Sequence, residues 1–217
     1  MPIACIETMG GWSFAMARPR EFDEAQVLDA ATRCFWARGY ELTSVRDLVE
    51  HTGITSASLY NAFGDKRALY GRVLDQYIEC GIAERIRRCS AMPPRAGLAA
   101  FFDEPLERSI SDPDHKGCML INASLEVAPH DAGFREVVAD ALRRIEAFFL
   151  DRITAGQADG SVTRRLAPQD LAAHLLGTLM GLRTLSRVRP EPALLTALVQ
   201  TALALLDDPA TAETSAG

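Results

Sequence analysis

No apolar run in the 217-residue chain reaches the ~18 residues that a membrane-spanning helix requires, so no membrane partner is expected. The opening stretch "MPIACIETMGGWSFAMARPREF" lacks a basic n-region followed by a long apolar core, which excludes a secretory leader of the usual kind and sets a cytoplasmic expectation. Cysteine is scattered: Cys5, Cys34, Cys80, Cys89 and Cys118 are odd in number and form no CxxC, which argues against a disulfide framework. The four histidines include no HExxH spacing, so no metal ligand set and no cofactor is assigned. Positive charge is in deficit, with 23 Lys and Arg against 29 Asp and Glu and a net charge of −6. That balance excludes a bulk electrostatic grip on nucleic acid and leaves only a local surface for one. Strand signals are also nearly absent, since there is no sustained β-branched alternation and no Asn-Gly or Asp-Gly hairpin.

Helical periodicity takes their place. "DEAQVLDAATRCFWARGY" sets Val27, Leu28, Ala31 and Phe35 on one face, opens with acids and stops at Gly39. "TSVRDLVEHTG" starts on Thr43 or Ser44 as cap, turns Val45, Leu48 and Val49 inward and stops at Gly53. "SASLYNAF" is short and ends at Gly64. Asp65 then caps a long run to about residue 90, with Leu69, Val73, Tyr77 and Ile78 inward, that would extend roughly 35 Å as one helix. Beyond Pro93 and Pro94, five further helices are expected near 95–111, 117–128, 131–157, 168–187 and 191–207. The expected fold is all-α. A three-helix helix-turn-helix domain would span 16–70 and a larger helical effector-binding and dimerisation domain 71–208. Residues 1–15 read as an extension and 209–217 as a small polar tail, both expected to be disordered.

The stretch from Val45 to Phe63 has the spacing of a helix-turn-helix (about 44–63), with Leu48, Val49, Ile54 and Leu59 inward and Gly53 at the corner. The outer face of its second helix would carry Thr55, Ser56, Ala57, Ser58, Tyr60 and Asn61. Hydroxyls and amides pair with base edges in a major groove, and alanine or threonine methyls meet the thymine methyl. Val49 departs from the pattern, because a small residue there lets the two helices approach.

The order "LDAATRCFWARGYELTSVRDLVEHTGITSASLYNAFGDKRALYGRVL" closely resembles the N-terminal domain of the tetracycline-repressor (TetR) family of transcriptional regulators over roughly residues 20–75. The resemblance is carried by Ala31, Phe35, Gly39, Tyr40, Thr43, Leu48, Gly53, Leu59, Tyr60, Phe63, Lys66 and Leu69. It implies that Thr43 or Ser44 meets a phosphate, that residues 55–58 approach bases and backbone, and that Tyr60 and Lys66 contact further phosphates. Arg18 and Arg20 would form a short basic arm ahead of the first helix. From Arg18 to Tyr70 seven Lys and Arg face eight Asp and Glu, so few phosphates would be neutralised and salt dependence per subunit should be shallow.

A three-helix reader covers one half-site, so a homodimer on a palindromic double-stranded operator is expected, and the family leans toward repression. The most apolar helices would supply the interface through Leu175, Leu179, Leu182, Leu195, Leu198 and Leu205. A small-molecule effector pocket would draw on Phe102, Leu106, Cys118, Met119, Asn122, Phe148, Met180 and Arg183. In an alternative, Cys118, at a helix start beside Lys116, senses electrophiles or oxidants. A helical thiol enzyme using Cys118 with His115 or His130 is the rival from another class; it lacks a nucleophile–base pair at defined spacing and a phosphate loop, and no enzyme is expected.

Overall fold

A computed structural model describes residues 22–208; Arg18, Arg20, the expected extension and the expected tail lie outside the described residues. Every regular element among the described residues is a helix. The chain divides between Cys80 and Gly81 into two compact units.

The first unit holds α1 (Glu24–Arg38), α2 (Val45–Thr52), α3 (Ser56–Phe63) and α4 (Lys66–Tyr77). Each begins on a side-chain cap. Asp23 accepts from the Ala25 N–H at 2.9 Å, Thr55 from Ser58 at 3.1 Å and Asp65 from Ala68 at 2.7 Å. Ser44 forms a reciprocal capping box with Asp47. Such caps settle orphan N–H groups that short helices cannot satisfy alone, at about 1 kcal/mol each. α1 packs on α2 and α4, and α3 on both α2 and α4. Between them Ala31, Leu48, Leu69, Val73 and Leu74 are fully buried. Phe35 and Tyr40 both pack on Tyr70, with ring centroids 5.0 and 4.8 Å apart. Burial of Leu69, Val73 and Leu74 ties α4 to this unit, which therefore ends ten residues beyond the expected boundary at 70.

The expected single helix to residue 90 is interrupted. A π-helical segment, Ile78–Ala83, separates α4 from α5 (Glu84–Ser90) and contains Gly81, a poor helix former. The second unit continues with α6 (Pro94–Ser111), α7 (Met119–Glu126), α8 (Ala132–Asp159), α9 (Pro168–Val188) and α10 (Pro192–Ala204). Proline stands in the first turn of α6, α9 and α10, where its missing N–H costs nothing.

α6 and α8 meet through an aromatic core, in which Phe101 lies 4.8 Å from Phe148 and 5.1 Å from Phe149, and Phe102 stacks on Phe149 at 5.7 Å. Phe102 and Phe148, expected as pocket walls, are thus ring-on-ring core. The expected dimer face also needs correction. Leu175, Leu182 and Leu195 have no exposed surface within the single chain and Leu179 is 7% exposed, because α9 packs on α6, α8 and α10. Leu198 is half-buried and Leu205 is exposed.

Candidate nucleic-acid interface

The helix-turn-helix forms because α2 and α3 each bring one apolar side to the α1–α4 core. Leu48 is the residue of α2 that is fully buried, and Leu59 and Phe63 are the buried pair on α3. The corner is Gly53 in the left-handed region (φ 72°), which closes α2 through an N–H bond to the Val49 carbonyl and frees the chain to turn. Thr55 stops the next helix from fraying: its hydroxyl accepts from the Ser58 N–H and donates to Ser58 Oγ at 3.0 Å. Thr55 is therefore first a cap, exposed at the head of α3.

With Leu59 and Phe63 inward, the opposite side of α3 is left to solvent. Ser56, Ala57, Tyr60 and Asn61 are exposed and Ser58 is half-buried. These positions, spaced by one, three and four residues, share one face. Tyr60 keeps 42% of its surface exposed. The face carries no charge, only hydroxyls, an amide, a methyl and a phenol, the groups suited to base edges and phosphate oxygens.

The helices packed against α3 carry groups suited to phosphates. Ser44 is exposed at the head of α2, where first-turn N–H groups and the helix dipole favour an anion. Thr43, offered above as its equal, is different: its side chain is fully buried and its hydroxyl donates to the Gly39 carbonyl at 2.6 Å. Thr43 braces the α1–α2 turn and is removed from the contact set. Lys66, at the head of α4, is half-buried with its ammonium 4.4 Å from the Tyr40 ring centre and 3.4 Å from the Glu41 carbonyl. Those contacts hold the charge in place, so a phosphate contact needs little further ordering. Arg46 was missed by the sequence reading. It is exposed in the first turn of α2, two residues after the cap, and has no ion pair among the described residues. By contrast, Arg38 is engaged by Asp47, whose carboxyl is held below its usual range by the Ser44 hydroxyl and N–H and then by Arg38.

In the second unit, Cys118, Asn122 and Arg183 come together at the loop preceding α7. Asn122 donates to the Lys116 carbonyl at 3.1 Å, and the Arg183 guanidinium bonds the Gly117 carbonyl. Met119 is buried, whereas Leu106 and Met180 are half-buried. Lys116, expected to activate Cys118, is instead paired with Asp112 and Asp114 at 3.2 and 2.7 Å. A cleft of about 390 Å³ opens beside Thr163, Arg165, Leu166 and Leu205, and none of the expected effector residues lines it. No group of three or more His, Cys, Asp and Glu among the described residues could hold a metal ion. No helix among them is long and apolar enough to cross a membrane.

Comparison with known proteins agrees with this geometry. Residues 27–73 match the bacterial regulatory proteins of the tetR family, and residues 94–203 match the tetracyclin repressor-like C-terminal domain. The chain is 30% identical over 200 residues to the HTH-type transcriptional regulator YezE of Bacillus subtilis, across 88% of this chain and 100% of that one. It is 30% identical over 187 residues to the HTH-type transcriptional repressor ComR of Escherichia coli, across 85% of this chain and 88% of ComR. Among solved structures, it resembles the TetR family transcriptional regulator CifR, a cysteine mutant complexed with 26-bp double-strand operator DNA. The TM-score is 0.78 at 30% identity, over 88% of this chain and 100% of that one. With both of its units matched, the chain belongs to the tetR family of bacterial transcriptional regulators.

Proposed function

We propose that the chain is a homodimeric cytoplasmic repressor, not an enzyme, that binds a near-palindromic operator and is released by a small-molecule effector. The observation that carries this reading is the uncharged, exposed face of α3, braced by a capped α2 and flanked by Ser44, Arg46 and Lys66. ComR is a repressor by name, and CifR is complexed with operator DNA; both support carrying these activities to this chain. One α3 reads one half-site, and a two-fold partner supplies the other. The exposed sides of α9 and α10, with Ala173, Gly177, Thr184, Val188, Ala197 and Thr201, are the surface proposed for that partner, in place of the buried leucines. An effector releases the operator only insofar as it binds the DNA-incompetent arrangement more tightly.

The test is selection of fragmented genomic DNA by the purified chain, with excess nonspecific competitor. Enrichment of one near-palindromic site, carrying two chains by sedimentation, is expected. A folded protein that enriches nothing at low salt contradicts the reading.

A second reading, electrophile sensing, rests on reach. Cys34 and Cys89 are buried and burial pushes their thiols up, whereas Cys80 and Cys118 are both half-exposed and Cys118 alone of the two stands at the head of a helix, α7. Limited electrophile treatment followed by mass spectrometry should modify Cys118 ahead of Cys80; equal rates remove this reading.

A further inference from the structure

We propose that the effector carries a compact anionic group, a carboxylate or a phosphate ester, held by Arg183 and Arg187 of α9 against the loop at residues 112–118. The proposal rests on the reading of the second unit as an effector domain. Arg183 is 7% exposed, yet every acceptor it meets is neutral. Its guanidinium donates to the Pro105 carbonyl at 3.0 Å, to Ser109 Oγ at 2.7 Å and to the Gly117 carbonyl. No carboxylate pairs with it among the described residues. Two carbonyls and a hydroxyl take three of its five N–H groups and leave its charge unbalanced, and buried guanidinium groups ordinarily have a counter-charge.

Arg187 lies one turn further along the same face of α9. Its Cγ and Cδ press on Gly117 so closely that a Cβ there would meet them at 2.7 and 2.8 Å. It too has no carboxylate partner among the described residues. The loop's own carboxylates do not supply one. Asp112 and Asp114 are both engaged by Lys116, and Asp112 also accepts the N–H groups of Asp114 and Lys116. One buried guanidinium without a counter-charge therefore bonds the Gly117 carbonyl, and the stem of a second, exposed arginine covers the same glycine.

A separate observation concerns the same loop. His115 Nδ1 is buried and has no hydrogen-bond partner, while its backbone sits in the left-handed region at φ 49°. An orphaned buried polar atom calls for a partner, and a protonated Nδ1 would donate to an anion. Two residues of chain separate His115 from Gly117, a reach of at most ~7 Å. Guanidinium pairs recognise carboxylate and phosphate oxygens through paired N–H groups, which fixes the class of ligand. Leu106, beside Pro105, and Met180, one turn before Arg183, are half-buried and offer an apolar wall to the rest of the molecule. Because Arg183 joins α6, the loop and α9, an anion drawing on that guanidinium acts on all three elements at once.

Calorimetry on the full chain tests this with benzoate and phenyl phosphate as probes and benzamide as the neutral counterpart. Saturable binding of at least one anion is expected, with benzamide at least about tenfold weaker. The more tightly bound anion identifies the headgroup. Arg187→Gln, an exposed change that leaves the Arg183 bonds in place, should weaken the anion by roughly tenfold without altering the melting temperature. No saturable binding of either anion, equal binding of benzamide, or full affinity in Arg187→Gln would each overturn the proposal. Operator binding by the ligand-free chain is measured separately. Its absence sinks the regulator reading and leaves the calorimetric result to decide the anion site alone.

Discussion

Thr43 and Ser44 carry the same functional group on adjacent residues and serve different ends. The Thr43 hydroxyl is enclosed against the Gly39 carbonyl, while Ser44 faces water and caps α2. Thr43→Val should lower unfolding stability by about 1–2 kcal/mol, because it leaves a carbonyl unsatisfied, and should leave the operator affinity of the folded protein unchanged. Denaturant melts beside fluorescence anisotropy would check both. Ionisable residues make a second residue-scale prediction. Burial pushes Glu104 up, and Arg85, Arg88 and Arg108 around it more than offset that, so its carboxyl is held below the usual range. Asp47 is held low by Ser44. A carboxylate lowered in the folded state stabilises above its unfolded pKa, about 3.9 for Asp and 4.3 for Glu, and that stabilisation is lost as pH falls through the folded value. Urea midpoints should therefore fall on acidification below about pH 4.3, and Glu104→Gln should be less stable at neutral pH with a flatter acid limb. A Glu104→Gln acid limb as steep as the parent's would contradict this assignment.

At the scale of elements, the helix starts were legible because Asp23, Ser44, Thr55 and Asp65 cap by local chemistry that a sequence displays. Which neighbour of a cap turns inward was not legible. For Thr43 it depends on where the carbonyl of Gly39 lies. The π-helical segment was equally hidden, since Ile78–Ala83 has ordinary helical periodicity and only Gly81 hints at a break. The helix-turn-helix corner gives an element-scale prediction. Nothing lies within 4 Å of a Cβ built on Gly53, so Gly53→Ala meets only the cost of its left-handed φ of 72°. That cost is roughly 1–2 kcal/mol, visible as a lower melting temperature. An unchanged melting temperature would mean that the turn relaxes.

For the whole molecule, the dimer face was the least legible feature. α10 is apolar nearly all round, and α9 carries polar residues both inward (Arg183, Ser186) and outward (His174, Thr184, Arg187), so no clean polar stripe marks which leucines face inward, and Leu175, Leu182 and Leu195 proved to be core. The Arg183 cluster was hidden for another reason: Arg183 lies 66 to 78 residues beyond Gly117, Ser109 and Pro105 and meets them only on folding. The charge balance, by contrast, is set by composition. A net charge of −6 and a reader helix without charge predict a log–log salt slope of operator affinity below about eight per dimer. A steeper slope would require phosphate contacts beyond Ser44, Arg46, Tyr60 and Lys66.

Sequence-specific reading of DNA by this chain depends on the exposed face of α3. The most direct measurement compares the native chain with a Ser56→Ala, Tyr60→Phe, Asn61→Ala triple variant by anisotropy, on the selected site and on the same site with one half-site scrambled. All three positions are exposed, so the variant should melt with the parent. Discrimination between the two duplexes should fall at least about tenfold, as expected when base-edge contacts worth ~1–3 kcal/mol are removed. Undiminished discrimination by a folded variant would show that another surface reads the DNA, and would contradict this role of α3.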